Sequence, residues 1–249
     1  MTEITRRTFS SSTLGSLLTL ALLETLFDTD AFAAEVKPIT GKWLGDLHQI
    51  GLDVKGEKLT QLAWQQKVEE LYKQVDLPEL LKFIDFEKLT AKLKFPDQGE
   101  RSLRPKFPEV EGLPTELVFG HQVFALQKGR SVVPHGHDNM ATAFLILQGD
   151  FHGRHYDRLE DEKDYLIVKP TIDRAFTVGE CSSVSDHKDN VHWFKATSDT
   201  AFIFNIHVIN VVAGKPSGRV YLDPNGEAIS EGRIRARRIN SSEAYKLYG

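Results

Sequence analysis

A chain of 249 residues, 41% hydrophobic and 27% charged, is large enough to bury a core and is expected to form one main globular domain. A net charge of -4 and a pI near 6.1 leave no electrostatic footprint for nucleic acid. The one basic run, Arg233-Ile234-Arg235-Ala236-Arg237-Arg238, alternates as the solvent face of a strand does, and a single cysteine, Cys181, excludes an intrachain disulfide.

The first residues carry Thr5-Arg6-Arg7-Thr8-Phe9, an apolar run from Leu14 to Leu23, and Ala31-Phe32-Ala33 ahead of Ala34. The run is interrupted by Gly15, Ser16 and Thr19 and falls short of the roughly 20 apolar residues that a bilayer span needs, so no stable membrane anchor is expected. Residues 1–33 resemble a twin-arginine export signal cleaved after Ala33. That resemblance implies the twin-arginine export machinery as a partner, a periplasmic or secreted bacterial destination, and folding before export. Folding first has a chemical use. Divalent ions bind in the Irving-Williams order, so an iron or manganese site filled in an open compartment loses to copper and zinc.

Residues 34–96 read as a helical extension. From Lys58 to Val75, the residues Leu59, Leu62, Ala63, Val68, Leu71, Tyr72 and Val75 recur close to the 3.6 period of one buried face. Asp76-Leu77-Pro78 stops that helix and caps a second, with Leu80, Leu81 and Ile84 inward. A third short helix is expected from Phe86 to Leu93. Trp43, His48 and Trp64 are assigned to packing. The extension is expected to cover one barrel end or to mediate homodimer contacts. Residues 97–116, punctuated by Pro105, Pro108 and Pro114, read as an extended linker.

From residue 117 to 249 the pattern changes to short β-rich runs separated by turn residues, among them Val123-Phe124-Ala125-Leu126, Phe144-Leu145-Ile146-Leu147 and Tyr165-Leu166-Ile167-Val168. Such spacing predicts an antiparallel sandwich or barrel. The tail adds a hairpin around Asp223-Pro224-Asn225-Gly226, a strand, and a helical turn from Ser241.

The chemistry is expected at Pro134-His135-Gly136-His137 and Asn190-Val191-His192-Trp193. On a strand, residues two apart share a face, so His135 and His137 can reach one ion while Gly136 turns away. Three imidazoles from these two pieces would make a metal site. Being neutral, they leave the ion its full charge and free positions. Asp138, Asn139 and Asp189 stand near in sequence as acceptors for the other ring nitrogens. His152, Arg154 and Tyr156 share one face by alternation; were it inward, Arg154 and Tyr156 would sit beside the metal and orient substrate. His207 is a further candidate for the pocket lining, while His121, His155 and His187 are expected to be exposed or to support the ligands.

The spacing of Gly129, His135, His137 and Gly149 resembles the first motif of the cupins, and His192 occupies the place of the histidine in their second motif. The resemblance implies a mainly β fold, a cupin jelly-roll double-stranded β-barrel behind the helical extension. Where many cupins carry a ligand glutamate this chain has Thr142, and His187 and Asp189 replace the usual Pro-x-Gly. Pro134, His135, His137, Met140, Gly149, His152 and Tyr156-Asp157, followed by His192, Ala196 and Ala201, are similar to the thiol dioxygenases of the plant cysteine oxidase and cysteamine dioxygenase branch over about residues 117–225. That similarity implies Fe(II) held by His135, His137 and His192, with O2 and a thiolate as co-substrates and a sulfinic acid as product. Asn205, in Phe202-Ile203-Phe204-Asn205-Ile206-His207, stands where the plant branch has a pocket aspartate, and can replace its hydrogen bonds but not its charge. The expected function is an exported mononuclear non-heme iron dioxygenase acting on a small substrate. Alternatives are a zinc or manganese cupin isomerase or hydrolase, and a non-catalytic cupin that binds a small ligand.

Overall fold

A computed structural model describes residues 29–249, with side chains from Thr40 onward. Residues 1–28, which include the arginine pair and apolar run of the expected export signal, lie outside the described residues. Residues 40–249 form one compact unit.

Among the described residues four helices come first: α1 (Thr29–Lys55), α2 (Gln61–Gln74), α3 (Leu77–Phe83) and α4 (Phe86–Thr90). Thr60 caps α2 by accepting the Ala63 N–H, and Asp76 caps α3 by accepting the Glu79 N–H, with Pro78 in the first turn as the sequence predicts. α4 stops three residues before the expected Leu93. It buries no side chain and has no side-chain cap at Asp85, so little holds further turns together. Among the described residues no helix is long and apolar enough to cross a membrane.

Eleven strands follow. β2 (Gly120–Gln127), β4 (Met140–Gln148), β7 (Cys181–Val184) and β9 (Thr200–Ile209) make one antiparallel sheet with β1 (Arg101–Leu103), in the order β1-β2-β9-β4-β7. β1 falls inside the expected linker and adds an edge strand by pairing Arg101 with Ala125. The second layer is a closed ring of β3 (Ser131–Asp138), β8 (Val191–Ala196), β5 (Phe151–Asp161), β6 (Tyr165–Phe176), β11 (Ile234–Ile239) and β10 (Gly218–Ala228). The tail ends in α5 (Ser241–Tyr248), capped by Asn240. The chain is therefore mainly β, a jelly-roll double-sheet barrel with N-terminal helices.

Strand alternation assigns three cores. Val123, Ala125, Ala143, Leu145, Phe204 and Ile206 point to the outer face of the five-stranded sheet, where Trp43, Leu47, Trp64 and Val68 of the helices cover them. Phe124, Phe144, Ile146 and Ile203 point the other way and meet Val132, Phe151 and Phe194 of the second layer. Both faces of β4 and β9 are thus buried, which is why these strands are almost continuously apolar in sequence. A third cluster, Tyr156, Leu166, Val168, Val191, Leu222 and Ala236, fills the closed ring. Fully burying each large apolar side chain contributes about 1.5–3 kcal/mol. The helical extension covers a sheet face, because that face is apolar and needs a partner.

α2 also carries a polar stripe at a spacing of four residues. Gln61 donates to Asp186, Gln65 donates to the Ser183 carbonyl at 3.0 Å and accepts from the Ser185 hydroxyl at 2.7 Å, and Glu69 accepts from the Ser183 hydroxyl at 2.6 Å. These bonds fix β7 and the loop that leads into β8. The basic run forms β11 as expected, and Arg235, Arg237 and Arg238 pair with Glu162, Glu243 and Asp161.

Candidate metal centre

His135 and His137 lie on β3 with Gly136 between them on the opposite face, where it packs against Val191 and Val220. His192 of β8 pairs in register with His135. Ring centroids are 4.2 Å apart for His135 and His192, 5.0 Å for His135 and His137, and 4.9 Å for His137 and His192. One potential ligand atom from each of the three lies within 4.8 Å of the others. All three rings are buried, with exposures of 6%, 3% and 1% in chain order. The group could hold a metal ion.

The ring nitrogens test the fit. His135 Nδ1 donates to the Val133 carbonyl at 2.8 Å, which fixes the tautomer and leaves Nε2 as a lone-pair donor. His137 Nδ1 lies 3.2 Å from the Thr142 hydroxyl. His137 Nε2 is buried with no partner among the described residues, and so is His192 Nδ1. A buried polar atom without a partner costs about 1–3 kcal/mol, and a metal ion at the centre of the three rings would satisfy the His137 nitrogen. Thr142, at the position where many cupins have a carboxylate, instead supports the ring of His137. Asp138, Asn139 and Asp189 do not take the supporting role suggested by their nearness in sequence. Asp138 pairs with Arg158 at 2.7 Å, the Asn139 amide donates to the carbonyls of Val212 and Lys215, and Asp189 donates its N–H to Asp157.

Burial keeps the rings neutral. His135 is pushed down to about 3 from the usual 6.5, first by burial and then by the Arg219 guanidinium. His137 and His192 are also held well below the ordinary value, by burial and then by neighbouring imidazoles. Neutral imidazole is the form that binds metal.

Beside the three rings lies a cavity of about 170 Å³. Phe124, Val132 and Phe144 give it apolar walls, and Met140, Asn205 and His207 line it from β4 and β9. Arg219 and Tyr221 reach it from β10, Glu100 from the residue before β1, and Tyr245 from α5. Asn205 donates to the Ala143 carbonyl at 3.3 Å and accepts from Gln122 at 3.1 Å. His207 is pushed down to about 4, mainly by burial and then by Arg219.

Arg154 and Tyr156 are not among the residues lining this cavity, contrary to their expected role in orienting substrate. On β5 the inward face belongs to Phe151, Gly153 and His155, which pack with Phe194 and Phe176. Alternation therefore turns His152, Arg154 and Tyr156 away. Arg154 stacks on Trp193 at 4.8 Å and pairs with Asp173, His152 bonds the same carboxylate, and Tyr156 enters the core of the closed ring. His155, expected to be exposed or supporting, is completely buried and in register with His192, with both ring nitrogens unpartnered among the described residues. His187 is exposed, while half-buried His121 stacks on Phe107 at 4.2 Å. Arg219, Tyr221, Glu100 and Tyr245 escaped the sequence reading. Only Arg219 and Tyr221 offered a signal, their period-two spacing on a strand; Glu100 and Tyr245 lie far from either motif in sequence.

No protein-family model matches the sequence, and no curated protein matches it. Solved structures that resemble the chain include a double-stranded β-helix protein from Klebsiella pneumoniae, with 9% identity over 52% of this chain and 86% of that one and a TM-score of 0.34. A cupin superfamily protein from Desulfitobacterium hafniense has 15% identity over 49% of this chain and 87% of that one, with a TM-score of 0.31. The 11S globulin procruciferin from Brassica napus has 12% identity over 41% of this chain, also with a TM-score of 0.31. The chain spans only about a fifth of the length of that globulin, covering 22% of it.

Proposed function

We propose that this chain is an exported, metal-dependent cupin with a mononuclear non-heme iron centre that oxidises a small substrate with O2, a thiol being converted to a sulfinic acid. The observation that carries the metal reading is the buried His137 Nε2, without a partner among the described residues, within a triangle of neutral imidazoles. His135, His137 and His192 would hold the ion. Iron in such a site supplies redox chemistry toward O2 and Lewis acidity toward a substrate donor.

The chain's own residues support that chemistry in three ways. Three neutral ligands leave the ionic charge uncompensated, which favours a thiolate over a thiol. Phe124, Val132 and Phe144 exclude water from one side of the cavity, strengthening electrostatic interactions inside it. Arg219 adds a cation at the cavity edge that draws an anionic substrate. The overall reaction balances without a reductant: both oxygen atoms enter the sulfinic acid, sulfur gives up four electrons, and O2 takes up four.

Preference for iron rests on the arginine pair Arg6-Arg7, because export of a folded protein allows the metal to be selected before the open compartment is reached. The test is elemental analysis of protein isolated from its native compartment, coupled to oxygen uptake with a panel of thiols. Bound iron with uptake of one O2 per thiol is expected. Zinc without uptake, or no uptake by an iron-loaded sample across the panel, overturns the thiol oxidation.

A further inference from the structure

The cavity that the three imidazoles line is also lined by one basic and one acidic side chain, Arg219 and Glu100. Arg219 is cross-strand from His137 and shares a strand face with Tyr221, and it has no ion-pair or hydrogen-bond partner among the described residues. Glu100 accepts a hydrogen bond from the Tyr245 hydroxyl at 2.8 Å through Oε1, while its Oε2 is buried without a partner among the described residues. The two groups line the same cavity without forming a salt bridge with each other, so each keeps capacity for a ligand group.

We infer that this cavity selects a small zwitterion, with the ligand's carboxylate on Arg219 and its ammonium on Glu100. A guanidinium offers a planar fork matched to a carboxylate, and an ammonium offers three donors to a carboxylate oxygen that lacks one. The orphan oxygen is the stronger half of the evidence, since a buried carboxylate oxygen without a donor is costly and a cationic ligand removes that cost. Size agrees: a cavity of about 150 Å³ holds a molecule such as benzene, so about 170 Å³ suits a ligand of roughly six to eight heavy atoms. A ligand anchored by both charges directs its remaining substituent toward His135, His137 and His192. A simple anion would meet Glu100 and a simple amine would meet Arg219, so each charge rejects the ligand that lacks its counterpart. The inference rests on the cavity beside the proposed metal site, but neither on iron nor on a thiol.

The test is anaerobic titration calorimetry of the protein as isolated with two series of probes. L-cysteine is compared with cysteamine, which lacks the carboxylate, and with 3-mercaptopropionate, which lacks the ammonium. L-serine is compared with ethanolamine and 3-hydroxypropionate in the same way. The zwitterion is expected to bind at least about tenfold tighter than either single-charge analogue in one series or both. Arg219→Gln should bring its affinity down to that of the amine, and Glu100→Gln to that of the acid. Arg219 is exposed, so its variant is expected to fold, and Arg219→Lys should restore part of the preference. Discrimination that persists in the serine series while oxygen uptake with thiols is absent keeps the zwitterion site and removes thiol oxidation. Equal affinities within both series, uniform weakening of all six probes by Arg219→Gln, or no binding of any probe overturns the inference.

Discussion

His137 and His192 stand on neighbouring strands, β3 and β8, and each presents a buried nitrogen with no partner among the described residues. The supports that orient the ligand rings are short and local: the Val133 carbonyl for His135 and the Thr142 hydroxyl for His137. Losing such a support typically costs 10–100-fold in metal affinity. Thr142→Val, close in shape but without the hydroxyl, is therefore expected to weaken divalent metal binding by about tenfold in a competition titration while the fold persists. His155 poses a different problem. Fully buried beside Phe176 and Phe194, with neither ring nitrogen bonded among the described residues, it is pushed down to about 3, chiefly by burial. Its folded-state value lies below the unfolded value of 6.5, so between those pH values the unfolded chain binds the extra proton. The resulting penalty is absent above pH 6.5 and grows as pH falls toward 3. His155→Leu is expected to raise the melting temperature and to flatten the acid limb across that window. A thermal melt series showing an unchanged acid limb would mean that His155 is solvated or bonded in solution.

The strand carrying the histidine pair depends on Gly136. A Cβ there would lie 2.6 Å from Asn190 Oδ1, and Asn190 cannot swing aside easily because its amide donates to the His137 and Ser185 carbonyls at 2.8 and 3.0 Å. Gly136→Ala is expected to cost about 1–3 kcal/mol by overpacking and to weaken metal binding as well, measured by denaturant unfolding with and without metal. The histidine pair was legible because alternation on one strand is sufficient to bring two imidazoles together. The face of β5 was not, because alternation groups residues without choosing a side. The choice depends on Phe176 and Phe194 filling the space over Gly153, contacts made by distant parts of the chain. The supporting residues were misjudged for a related reason. Asp138, Asn139 and Asp189 are near the ligands in sequence, but strand geometry and the positive φ of Asn139 and Asp189 commit them elsewhere.

Across the whole molecule, the helices do more than cover an apolar sheet. Gln65 bonds Ser183 and Ser185, the Ser185 carbonyl holds the Asn190 amide, and Asn190 holds the His137 carbonyl, so α2 is linked to both pieces of the metal centre. Gln65→Leu is expected to loosen the loop before β8, seen as faster amide exchange at residues 185–191 with little change in the sheet carrying β4 and β9. The helical periodicity, the caps and the β-rich pattern were legible because each is local. The edge strand β1, the closed ring and the cavity edge at Arg219 and Glu100 were not, since each exists only when segments remote in sequence meet. The central claim is that His135, His137 and His192 form one metal site. Equilibrium dialysis against divalent iron, with circular dichroism as a control for folding, tests it most directly on the wild type, His135→Ala and His192→Ala. One ion per chain in the wild type and none in either variant, with the β spectrum retained, is the expected result; no ion in the wild type, or full occupancy in both variants, would contradict it.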